Sequence, residues 1–194
     1  MAIAGLVLAA GAGTRFGASP KQLADFHGRP LLEWAVRAQC AVPALDPVVV
    51  VLGSSASSIC AGVDFGRAVI VVCEDWAAGQ AFSLRRGVEW LSVRGDVTKV
   101  IVTLGDAPLV TPDVIAMFVE QPPRARAVYG GRPGHPVVLG PEEIAALAGL
   151  DGDQGARGLL RGGPEVEVGH LCSGRDVDTP EDLEEVRHEA RAVI

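Results

Sequence analysis

The sequence predicts an α/β fold: one three-layer α/β/α, Rossmann-like domain built on a mainly parallel sheet. Two observations predict it. Short, near-continuous apolar runs alternate with longer amphipathic stretches, the pattern of a parallel sheet buried on both faces. The first run also stops abruptly at a glycine-rich segment, Gly11-Ala-Gly13-Thr-Arg15-Phe-Gly17, as expected where a strand of an open sheet reaches its ligand-binding edge.

Taken in order, Ile3–Ala9 is the first strand. Leu31, Leu32, Ala35, Val36 and Gln39 fall at helical spacing within 29–40. Asp46-Pro47 opens the β-branched strand 48–52. Residues 54–61 form a short helix with serines near its start as caps. Val69–Cys73 is the third strand, and 79–93 a helix with Leu84, Val88 and Leu91 on one face. Residues 100–104 form the fourth strand and run into Gly105-Asp106-Ala107-Pro108. Thr111 caps the next helix, with Pro112 at its first position. Strands at 125–129 and 137–139 flank a loop, Gly130 to Pro136. Short helices at 142–148 and 155–160 and a strand at 166–168 follow. Thr179 and Asp182 have capping-box spacing at the last helix. No internal repeat or linker interrupts the chain, so residues 1–194 read as one domain.

With 194 residues, 48% hydrophobic and 21% charged, the chain can bury a sizeable core. Its formal net charge of -7 argues against nucleic acid or a membrane surface as partner. No apolar run approaches the roughly 20 residues of a membrane span. The first residues lack the basic region of a signal peptide. Cys40, Cys60, Cys73 and Cys172 form no CxxC pair and no zinc spacing. Four reduced thiols in a cytoplasmic protein are expected.

The chemistry-bearing residues cluster at the expected strand ends. Backbone N–H groups in the glycine loop form an anion cradle, with glycines at 11, 13 and 17 free to take positive φ and with Arg15 and Lys21 beside it. Lys21 is one of only two lysines, with Lys99. The spacing is GxGxxxG, and the second strand ends Leu52-Gly53-Ser54 with no acid, so the dinucleotide fingerprint fails twice. The phosphate-loop pattern GxxxxGK[ST] fails as well, since Lys21 follows Pro20. Asp106, at the tip of a buried strand, suits a Mg²⁺ ion that keeps water and phosphate oxygens as its other ligands. Its alternative role, capping a helix, is weakened by Thr111. Asp176 and Asp178 alternate onto one face of an extended segment, and either could supply a second carboxylate.

Together, LAAGAGTRFG…K, W-x-x-G-x-x-x-S-L, GDAP, GHPVVL and DVDTPEDL resemble the molybdenum cofactor cytidylyltransferase family, within the nucleotidyltransferases that include molybdopterin guanylyltransferase. The resemblance runs from Leu8 to Leu183. It implies transfer of CMP from CTP to the terminal phosphate of a molybdopterin-type cofactor, with pyrophosphate released. It implies nucleotide contacts from Leu8, Ala9, Ala10, Gly11, Ala12, Gly13, Gly79 and Ser83. Catalytic roles fall to Arg15, Lys21 and Asp106, and Mg²⁺ to Asp106 with Asp178. Trp76, His135 and Pro136 lie on the acceptor side. Ala10 matches the cytidylyl form, LAAG, against LAGG in guanylyl enzymes, because a methyl group narrows the base pocket. Phe16, Ala107 and Cys73 depart from the family pattern. The alternatives are guanylyl or cytidylyl transfer to another phosphorylated small molecule, or a non-catalytic nucleotide- and cofactor-binding chaperone in transient contact with a molybdoenzyme.

Overall fold

The computed structural model describes residues 1–147 and 158–190. Its strands are β1 (Ala2–Ala9), β2 (Asp25–Phe26), β3 (Arg29–Pro30), β4 (Leu45–Leu52), β5 (Val69–Val72), β6 (Val97–Leu104), β7 (Arg126–Tyr129), β8 (Arg132–Leu139) and β9 (Glu165–Glu167). Its helices are α1 (Leu31–Cys40), α2 (Ala56–Gly62), α3 (Gln80–Ser92), α4 (Pro112–Met117), α5 (Pro141–Ala146) and α6 (Pro180–Ala190). Seven strands form one sheet in the order β5-β4-β1-β6-β8-β7-β9, and β2 and β3 pair separately. β5, β4, β1 and β6 are parallel; β8 runs against both β6 and β7, and β9 is parallel to β7.

Alternation along the central strands builds two cores. On one face, Leu6 and Leu8 of β1 with Val49 and Val51 of β4 pack on Leu84, Val88 and Leu91 of α3. On the other, Val7, Ala9, Val50 and Leu52 pack on Leu32, Ala35 and Val36 of α1. This is the both-sided burial that near-continuous apolar strands require. Full burial of each of these leucines and valines contributes about 1.5–3 kcal/mol.

Several boundaries differ from expectation for local reasons. Arg29 belongs to β3, and α1 starts only after Pro30, whose ψ of 139° is extended. At α2, Ser55 takes a left-handed backbone (φ 58°), and its side chain makes no capping bond. β5 is an edge strand, so Val69, Ile70 and Val72 are partly exposed and Val71 alone of the four is buried. The expected loop at 130–136 contracts to a tight turn at Gly130-Gly131 (φ 57° and 80°), and the rest of it is strand β8. Two successive positive φ values suit a two-residue hairpin turn. The helix expected at 155–160 falls partly outside the described residues, and 158–160 form a turn. The end of the helix expected at 142–148 falls outside them too. The caps at Thr111 and Thr179 form as expected: Thr111 Oγ1 accepts from Val114 N–H at 3.3 Å, and Thr179 and Asp182 bond reciprocally. No described helix is long and apolar enough to cross a membrane.

Candidate active site

The loops after β1, β5 and β6 converge. They enclose a cleft of about 550 Å³, lined by residues 8–15, Lys21, Gln22, Trp76, Gly79, Ser83, Asp106 and Asp178. Parallel strand polarity brings these ends to one edge of the sheet. Eight predicted nucleotide contacts (Leu8, Ala9, Ala10, Gly11, Ala12, Gly13, Gly79 and Ser83) all line it.

At its centre is Lys21. A short turn after Pro20, spanning Lys21–Leu23, buries the residue to 7% exposure, and the stem of its side chain packs beneath Gly13. Its ammonium donates to Asp106 Oδ2 at 2.6 Å, to Asp178 Oδ1 at 3.0 Å and to the carbonyl of Val177 at 2.9 Å. Arg15 is largely exposed and bonds the other oxygen of Asp178 at 2.7 Å. Burial alone would lower the pKa of Lys21. The charge and hydrogen bonds of Asp106 and Asp178 outweigh that, and the pKa is raised. Lys21 is therefore a fixed positive charge at neutral pH.

The segment 176–178 is tied to the Asp106 loop by Val177 N–H bonding the Asp106 carbonyl at 2.8 Å. Asp178, not Asp176, carries the carboxylate that reaches Lys21. Asp176 lines a broader groove of about 2170 Å³ alongside, with Tyr129, His135 and Cys172. Tyr129 lies close to Cys172, and its hydroxyl donates to the carbonyl of His135. Burial pushes the Tyr129 pKa far up, so the hydroxyl is a donor throughout the working pH range. His135 lines this groove, whereas Pro136 is buried and lines neither cavity.

The donor set fits a hard divalent ion. Asp106 Oδ1 is buried without a hydrogen-bond partner and is the oxygen left to meet an ion, since Asp106 Oδ2 and Asp178 Oδ1 accept from Lys21 and Asp178 Oδ2 from Arg15. No group of three or more metal-ligating side chains occurs among the described residues. Two carboxylates suit Mg²⁺ or Mn²⁺, which take their remaining ligands from water and substrate phosphate.

Four features of the site do not follow from the sequence. Gly11 does not take positive φ, unlike Gly13 and Gly17, and a Cβ there would meet nothing within 4 Å. Gln22, next to Lys21, is buried and bonds the loop. Gly53 admits close approach: a Cβ would lie 2.5 Å from Trp76 Cβ and 2.6 Å from the Ala10 carbonyl. Adjacency to Lys21 was the one available signal for Gln22. Gly79, with φ 125° and ψ 168°, occupies a region essentially restricted to glycine.

A family model described as the MobA-like NTP transferase domain matches residues 5–168. The chain is 32% identical to the nicotine blue oxidoreductase of Paenarthrobacter nicotinovorans, covering 93% of this chain and 94% of that protein. The crystal structure of Rv0371c from Mycobacterium tuberculosis H37Rv matches with TM-score 0.82 and 28% identity, over 96% of this chain and 98% of that one. The manganese complex of Rv0371c matches with TM-score 0.80 at 28% identity, over 97% and 99%. Molybdopterin-guanine dinucleotide biosynthesis protein A of Archaeoglobus fulgidus shares the fold, with TM-score 0.68 and 17% identity over 99% and 100%.

Proposed function

We propose, since this chain belongs to the MobA-like NTP transferase family and is a nucleotidyltransferase of that type, that it transfers CMP from CTP to the terminal phosphate of a molybdopterin-type cofactor. The observation that carries the reading is the meeting of Lys21, Asp106 and Asp178 beside the glycine loop. In the reaction an acceptor phosphate oxygen bonds to the α-phosphorus of CTP. The bond from that phosphorus to the bridging α–β oxygen breaks, and pyrophosphate leaves with the electron pair. The acceptor oxygen is already ionised, so no protein group need take a proton.

Asp106 and Asp178 would hold Mg²⁺. The ion, when bound, supplies charge neutralisation at the α-phosphate and a template for the two substrates. Lys21 and Arg15, which pair with these two carboxylates, would supply positive charge against the negative charge developing on leaving pyrophosphate. The loop backbone would bind the triphosphate through its N–H groups and hold it in the cleft. Ala10 lines the cleft, is 4% exposed and belongs to the apolar core beneath it; alanine rather than glycine at this position supports a pyrimidine over a purine. His135 faces the broader groove, which supports acceptor binding there.

The relative from Paenarthrobacter nicotinovorans, by its name, favours a second reading, a redox enzyme on the same fold. Against it stand the GxGxxxG spacing and the missing acid after β4. A thermal-shift screen separates the two. CTP with Mg²⁺ is expected to raise the melting temperature more than GTP, ATP, UTP or nicotinamide dinucleotides, because binding stabilises the folded state. Stabilisation by a nicotinamide dinucleotide with none by any triphosphate overturns the transferase reading. Stabilisation by GTP alone overturns the choice of cytosine.

A further inference from the structure

Gln22 has no part in the chemistry above, yet it is only 4% exposed and lies against the cleft. Its side-chain Nε2 donates to the carbonyl of Ala9 at 3.2 Å and to that of Gly11 at 3.0 Å. Between these two, the carbonyl of Ala10 accepts from the N–H of Ser54 at 3.1 Å. Three consecutive carbonyl oxygens at the end of β1 are therefore turned onto protein donors.

The electrostatic consequence is directional. Each residue of a loop carries one N–H donor and one C=O acceptor. An oxygen facing a triphosphate repels it, and an N–H attracts it. With the oxygens of residues 9–11 engaged on the protein side, the N–H groups that follow remain available. Those of Gly11, Ala12 and Gly13 meet no protein acceptor among the described residues. The turn that holds Gln22 also holds Lys21, so one short piece of backbone carries both the side chain that bonds the loop and the ammonium.

We propose that Gln22 is a positioning residue for the triphosphate: its amide locks the glycine loop with carbonyls inward and N–H groups toward the cleft. The proposal rests on the nucleotide-binding reading of this cleft. It places no contact between Gln22 and substrate.

The test is Gln22→Met, which keeps length and removes the donor. By calorimetry its Kd for CTP is expected to rise about tenfold or more. KM for CTP should rise in parallel, with kcat at saturating CTP changed by no more than about threefold. A general structural lesion would not split KM from kcat in this way. Should Gln22→Met fail to fold, nuclear magnetic resonance on the parent decides. The Gln22 side-chain amide protons should exchange slowly and stay put when CTP is added, while the Gly11–Gly13 amides shift. A folded Gln22→Met that binds CTP within about twofold of the parent overturns the proposal, as does a freely exchanging Gln22 amide. A parent that binds no nucleoside triphosphate overturns the underlying nucleotide reading as well, so the two failures are distinguishable.

Discussion

Lys21 Nζ lies 2.6 Å from Asp106 Oδ2, although 85 residues separate them in the chain. The contact joins the turn after the glycine loop to the tip of β6. Asp178 closes the same cluster from the segment before α6. Removing one member of a buried pair leaves the other charge unpaired, which costs more than the pair contributes.

Asp106→Asn and Lys21→Met are each expected to lower cytidylyl transfer by about a hundredfold or more, the scale of losing one preorganised electrostatic group. Asp176→Asn should leave transfer within about threefold of the parent, because Asp178 carries the carboxylate that meets Lys21. Steady-state kinetics checks all three. An Asp176→Asn loss as large as that of Asp178→Asn would contradict the assignment.

Two glycine substitutions should behave oppositely. Gly11→Ala meets no protein atom within 4 Å and needs no unusual backbone, so its melting temperature should match the parent. Its methyl group would protrude into the cleft, and CTP affinity should fall about tenfold. Gly79→Ala forces a side chain into a glycine-only region and should cost roughly 1–3 kcal/mol of stability. Parallel melting and titration experiments separate the two effects.

Ala10→Gly should relax base choice. If residue 10 sets the base, the ratio of kcat/KM for CTP over GTP should drop by about tenfold, the scale of one methyl in a pocket. The check is competition between the two nucleotides in one reaction.

The parts of this molecule that follow from period and spacing were legible in the sequence. The parallel strands, the converging loops and the caps at Thr111 and Thr179 all follow from local rules that the fold obeys. Lys21, Asp106 and Asp178 were legible as residues of the right chemistry, but not as one ion cluster, because only the sheet topology brings them together. Gln22 was not legible, since its role lies in bonds to backbone oxygens that no side-chain pattern signals. The hairpin at Gly130 was misread as a loop: glycine and proline there permit a tight turn and a strand as readily as an open loop. Ser55 was misread as a cap because its backbone turns left-handed.

Acid should unfasten the last helix and the hairpin. Hydrogen bonds from Thr179 hold the Asp182 pKa below its ordinary value, and backbone N–H groups of Gly130, Gly169 and Gly131 do the same for Glu167. A depressed folded-state pKa contributes stability above the unfolded value and loses it as pH falls through the folded value. The melting temperature should be insensitive to these groups above about pH 5 and fall below about pH 4. Asp182→Asn should flatten part of that acid limb. Asp182→Ala should lower the melting temperature at pH 7 by removing the capping-box partner of Thr179. Lys21, with its pKa raised, stays charged throughout and adds no limb near neutrality.

The most direct measurement follows the α-phosphate of labelled CTP in the presence of Mg²⁺ and a molybdopterin-type cofactor. Label should appear on the cofactor, in amounts equal to the pyrophosphate released, and should vanish with Asp106→Asn. Label that stays on CTP with every phosphorylated acceptor tried, while the protein oxidises a nicotinamide dinucleotide, would contradict the transferase assignment.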